Sequence, residues 1–170
     1  TVTFLAVLAV GAVVGFVNGF FVAKFSLHPF IVTLSTQLIT YGVILWFFAL
    51  NGNNGQPISG LSKEYKNFVG GEMFRLGGVA VPRYVLYAVV LTALMWFIWN
   101  KTTFGKNMFA VGSNAEAAKV SGVNVFMTTV LVHTLAGAMY GYAGFIEGVR
   151  AGSVAPSTGL NAECDAIAAC

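Results

Sequence analysis

The chain has 170 residues, of which 57% are hydrophobic and only 9% charged, with a net charge of +3. Soluble domains carry about 25% charged residues, so a water-soluble fold of this size would lack the polar surface to cover itself. Its nine basic residues are spread singly and form no patch that would neutralise a phosphate backbone, which excludes nucleic acid as a partner class.

A helix needs about 20 apolar residues to cross a hydrocarbon core of about 30 Å. The first stretch that meets this, Val2 to Ala23, carries no charge until Lys24. Gly11, Gly15 and Gly19 fall at four-residue intervals within it and make one stripe against which a neighbouring backbone can pack. Asn18 lies beside that stripe, placed either to hydrogen-bond across the contact or to line a polar path. The residues from Lys24 to Pro29 form a tight turn, because proline cannot continue a helix and holds His28 extended, so the next span is an antiparallel neighbour.

That second span, Phe30 to Leu50, has its polar residues mostly in its first half. The segment 51–82 is long and polar, opens on the turn-forming cluster NGNNGQP, and belongs in water. A third span, Tyr84 to Trp99, ends on Trp96 and Trp99, residues suited to a headgroup boundary. The polar connection 100–124 holds a helix of about two turns. Its signals are Asn114 as N-cap, Glu116 in the first turn, Lys119 in the last and Gly122 just past the end.

The fourth span, Val125 to Val149, contains both His133 and Glu147. Gly137, Gly141 and Gly144 repeat the small-residue device, and His133 lies four residues before Gly137, on the same face. Glu147 follows His133 by fourteen residues and points the same way. Ionisable groups inside a membrane usually face a bundle interior or a wet cavity. Two plainer readings stand beside that one: Glu147 paired with Arg150 at the helix end, and His133 as a neutral hydrogen-bonded contact residue.

Beyond the fourth span a partly inserted helix is expected near Glu163. Cys164 and Cys170, with five residues between them, lack metal-site or CxxC spacing and read as ordinary apolar residues. The chain opens at Thr1 in an apolar run and closes inside what reads as another element, so it is expected to be a piece of a longer protein. Lysine and arginine counts do not set its orientation: Lys24, Lys101, Lys106 and Lys119 fall on one side, and Lys63, Lys66, Arg75, Arg83 and Arg150 on the other. No GxSxG, HExxH or GxxxxGK[ST] pattern occurs, and no carboxylate pair is placed for acid and base work within the membrane.

The segment WNKTTFGKNMFAVGSNAEAAKVSGVNV, Trp99 to Val125, resembles the signature cytoplasmic loop of permease subunits of bacterial sugar ABC importers, in the branch containing ribose, xylose and galactose systems. The galactose type is the nearest in pattern. The resemblance extends to NGFFVAKFSLHPFIVTLSTQLITYG from Asn18, to QPISG from Gln56, and to GFIEGVRAGSVAPSTGLNAECDAIAAC from Gly144. One departure is Cys164, where such permeases commonly have leucine between the acidic pair Glu163 and Asp165.

The resemblance implies an all-α, polytopic transmembrane bundle in the bacterial inner membrane, in a subunit about twice this length. It implies no covalent chemistry, cofactor or metal. Its partners would be an ATP-binding subunit, a second permease copy, a periplasmic sugar-binding protein and the lipid bilayer. The loop 100–124 would be cytoplasmic, with Gly112, Asn114, Glu116, Ala117, Ala118, Lys119, Ser121 and Gly122 coupling to the ATPase; on loop chemistry alone it is equally a solvated connector. Segment 51–82 and the tail from Ala151 would face the periplasm. Asn18 and His133 are the candidate path-lining residues, and a proton-coupled carrier using His133 and Glu147 is the alternative.

Overall fold

A computed structural model describes residues 2–50, 56–60, 63–76, 79–160 and 162–169. The turn cluster at 51–55 and Cys170 lie outside the described residues. Among the described residues, four helices are long and apolar enough to cross a membrane: α1 (Val2–Phe25), α2 (Pro29–Leu50), α4 (Arg83–Lys101) and α7 (Val125–Ala151). At 1.5 Å per residue even α4, the shortest, extends about 28 Å, enough to span with little tilt.

Pro29 opens α2, where its missing N–H has no helical partner to lose and its fixed φ fits. The turn before it relies on Ser26, held at φ 52, and on the His28 carbonyl, which accepts from Ile31 N at 3.1 Å. Thr36 Oγ1 lies 2.6 Å from Asn18 Oδ1 and ties α2 to α1, but most of α2 remains uncovered by protein.

The principal packing is between α1 and α7, which run antiparallel with their glycines in register. A Cβ placed on Gly11 would strike the Gly137 carbonyl, and one on Gly15 would strike the His133 carbonyl. On Gly19 it would come within 2.9 Å of Val130 Cα and His133 Cβ, and on Gly141 within 2.7 Å of the Val7 carbonyl. The contact therefore follows the four-residue row 133, 137, 141, 145 on α7, the kind of ridge that close helix crossings use.

Gly144 corrects the expected stripe. Its three-residue step leaves that row, a Cβ there would meet nothing within 4 Å, and it is exposed. At this end the Phe4 ring packs edge-on to Tyr142 and Phe145 instead.

The polar segment after α2 folds back over the same end. It holds β1 (Ile58–Ser59), α3 (Lys63–Gly70), and the antiparallel pair β2 (Glu72–Leu76) and β3 (Val79–Pro82). β1 pairs with β4 (Ser153–Val154), which follows the left-handed cap Gly152 of α7. Tyr65 on α3 hydrogen-bonds Thr3 at 2.8 Å and packs on Phe145, while Tyr87 Oη donates to the Phe68 carbonyl at 2.9 Å. These short pieces strap the ends of α1, α4 and α7 together.

On the opposite side, α4 turns at Thr102 into α5 (Thr103–Ser113) and then α6 (Ala115–Val120). Gly105 makes the corner possible, because a Cβ there would collide with the Trp99 and Ile98 carbonyls. The last element, α8 (Ala162–Ala169), begins one residue before Glu163.

Bulk added to the seam should force the backbones apart. Gly15→Val and Gly137→Val are each expected to destabilise the fold by about 1–3 kcal/mol, read from thermal unfolding in detergent. Gly144→Ala should be neutral or stabilising by up to about 1 kcal/mol, since it only removes a helix-interior glycine.

Candidate functional site

Two features were singled out by the sequence: the short helix before α7 and the polar groups within the spans. The short helix α6 is clamped at both ends. Asn114 ends α5 by donating its N–H to the Ala110 carbonyl at 3.1 Å and starts α6 by accepting from Ala117 N on Oδ1 at 3.0 Å. At the other end Gly122, at φ 84, donates to Lys119 O, and Val123 donates to Ala118 O at 3.0 Å. This is the paired-bond glycine stop that satisfies the final carbonyls of a helix. Ser121 Oγ adds a bond to Ala117 O at 2.9 Å, and Asn124 caps α7 by accepting from Met127 N at 2.9 Å.

Six residues fixed so firmly present a defined surface. Glu116, Lys119 and Val120 share one face, three and four residues apart, with Glu116 in the first turn and Lys119 in the last, each complementing the helix dipole. Ala117, Ser121, Gly112 and Gly122 are also exposed.

Ala118 departs from the expectation that it belongs to an outward contact surface. It is 4% exposed and points into the protein, because it lies 200° around the helix from Glu116 at about 100° per residue. Val120 takes its place outward at 90% exposure, joined by Phe109 of α5. Sequence reasoning passed over Val120, although an apolar side chain beside Lys119 on a short polar helix was a usable signal.

The polar groups within the spans do not converge. Asn18 directs its oxygen to Thr36 on α2, away from the α1–α7 seam. His133 lies in that seam, half-buried, with Nδ1 donating to its own helix at Thr129 O, 2.9 Å away. Glu147 forms a two-pronged ion pair with Arg150 at 2.9 and 3.0 Å, both side chains more than half exposed. Fourteen residues separate His133 from Glu147, about 21 Å along α7. Cys164 is an exposed free thiol on α8. Among the described residues no cluster of His, Cys, Asp and Glu could hold a metal.

The Asn114 cap is testable by itself. Asn114→Ala should cost about 0.5–2 kcal/mol of local helix stability, seen as faster amide hydrogen exchange at Ala117 and Ala118 with α7 amides unchanged.

The whole chain, residues 1–170, matches the family described as branched-chain amino acid transport system / permease component. It is 44% identical over 169 residues to the galactose/methyl galactoside import permease protein MglC of Haemophilus influenzae, covering 99% of this chain and 49% of that protein. The corresponding MglC protein of Treponema pallidum is 46% identical over 157 residues, covering 89% of this chain and 28% of the relative. The fructose import permease protein FrcC of Rhizobium meliloti is 36% identical over 162 residues, covering 95% and 44% respectively. The chain thus spans about half or less of the length of these curated relatives. No solved structure matches it. With four membrane-length helices and a family match from end to end, the chain belongs to the permease components of the branched-chain amino acid transport system family.

Proposed function

We propose that this chain is part of the permease subunit of an ATP-driven sugar importer in a bacterial inner membrane, carrying galactose or a methyl galactoside. The observation that carries the reading is the 44% identity, over 99% of the chain, to a galactose/methyl galactoside import permease. The family description names amino acids, but the physical chemistry favours a sugar. A zwitterion needs charges or helix ends aimed at it near the midplane. The charged pair in α7, Glu147 and Arg150, is spent on itself near the helix end.

In this reading a second copy completes the path, a periplasmic binding protein delivers the sugar, and a separate subunit hydrolyses ATP. The permease itself performs no covalent chemistry. The side bearing α5 and α6 is cytoplasmic, and the α3 strap with β1 to β4 is periplasmic. Glu116, Ala117, Lys119 and Val120 form the surface on which the ATP-binding subunit docks, with Val120 as its apolar anchor. Ala118 supports that surface from beneath. Rigid caps at both ends let α6 pass a push into α7 without bending.

Proteoliposomes containing the permease and its ATP-binding subunit, supplied with the periplasmic sugar-binding protein, test this. Galactose uptake should be vanadate-sensitive and should survive a protonophore while ATP is maintained. Uptake that collapses with the protonophore despite intact ATP would instead support a proton-coupled carrier using His133 and Glu147. Glu116→Lys and Val120→Asp should each lower coupled uptake by about tenfold or more, equivalent to about 1.4 kcal/mol of lost docking energy. Wild-type uptake in both would remove α6 from the coupling role.

A further inference from the structure

α4 meets α5 and the α3 strap at its ends but has no extended packing on α7. The space left between them is an open groove of about 310 Å³, lined by Leu91, Thr92, Met95, Trp96, Trp99 and Met139. From these surroundings we infer that the groove holds one acyl chain of an anionic phospholipid, whose headgroup is bound by Lys101.

The groove runs along α4 from Leu91 to Trp99, eight residues or about 12 Å of helix. That is most of the half-thickness of a hydrocarbon core of about 30 Å, and Lys101 follows two residues further on. Leu91 and Thr92 stand halfway along α4, and Met139 stands halfway along α7, so these residues form the mid-bilayer end. Trp96 and Trp99 line the outer half, where amphipathic rings sit at the headgroup boundary.

The lining suits a hydrocarbon chain and not a sugar. Its single hydroxyl, on Thr92, already donates to the Ala88 carbonyl at 2.8 Å. Only the two indole N–H groups remain as donors, too few for a molecule with hydroxyls on every side. Methionine side chains at both positions, Met95 and Met139, adapt to a flexible occupant.

The mouth selects charge. Lys101 ends α4, exposed, with its Nζ 5.8 Å from the centre of the Trp96 ring, which keeps the ammonium beside a groove-lining residue. A phosphate above the chain would meet that cation at the level where juxtamembrane lysines attract anionic lipid.

Fluorescence quenching by brominated lipid tests the inference. A Trp46→Phe background leaves Trp96 and Trp99 as the only tryptophans of the chain. Bilayers contain equal parts phosphatidylglycerol and phosphatidylcholine, with the acyl chains of only one of the two brominated. Brominated phosphatidylglycerol should quench about fivefold more effectively, the factor corresponding to about 1 kcal/mol per lysine near a charged surface. Lys101→Gln should equalise the two lipids while leaving quenching by phosphatidylcholine intact. Equal quenching with Lys101 present overturns the headgroup assignment, as does a preference that survives Lys101→Gln. Absence of quenching by either lipid overturns the lipid itself and shows the groove covered by a protein helix or a second copy.

Discussion

Near opposite ends of the sequence, two helices touch backbone to backbone because Gly11, Gly15, Gly137 and Gly141 leave no side chain between them. In water such a contact would be incidental to a hydrophobic core. In lipid there is no core to form, since acyl chains are as apolar as leucine, and association rests on close van der Waals contact. The seam is therefore what makes α1 and α7 one unit. α2 is attached to it through Asn18 and Thr36, and α4 through the connections at its two ends.

The other elements are arranged around the ends of this seam. On one side α3 and the β1–β4 pair join the start of α1 to the finish of α7, with Phe4, Tyr65 and Phe145 as the shared packing. On the other, α5 and α6 lead into α7 through the Asn124 cap, where Phe20 of α1 meets Phe126 edge-on. In the proposed transport reading, a displacement of α6 enters α7 at its first turn and reaches α1 through glycines that permit no slack. A tightly packed pair moves as a body, which suits switching between two arrangements better than gradual deformation.

Much of this was legible in sequence because the bilayer imposes simple rules. Uninterrupted apolar length marked the four spans, and glycines at four-residue intervals marked the faces that meet. The cap residues Asn114 and Gly122 located α6 to within a residue. What escaped lacked such periodicity. α5, with the mixed sequence TFGKNMFAVGS, carries two glycines and no continuous stripe, so it read as loop. A six-residue helix is too short for spacing alone to tell Ala118, which faces in, from Val120, which faces out. Gly144 shared the composition of the stripe but not its ridge, and the aromatic contact of Phe4 that occupies that end depends on partners distant in sequence. The β1–β4 pair joins two residues to two others across most of the chain, beyond any local signal.

The seam between α1 and α7 can be observed directly. Solid-state NMR on protein in lipid bilayers, with carbon-13 placed at glycine Cα, measures whether Gly15 and Gly137 are in contact. A strong Cα–Cα cross-peak between them is expected, because a Cβ on either glycine would lie within 3.0 Å of the other's Cα. Resolved signals from both glycines without that cross-peak would contradict the seam and the architecture built on it.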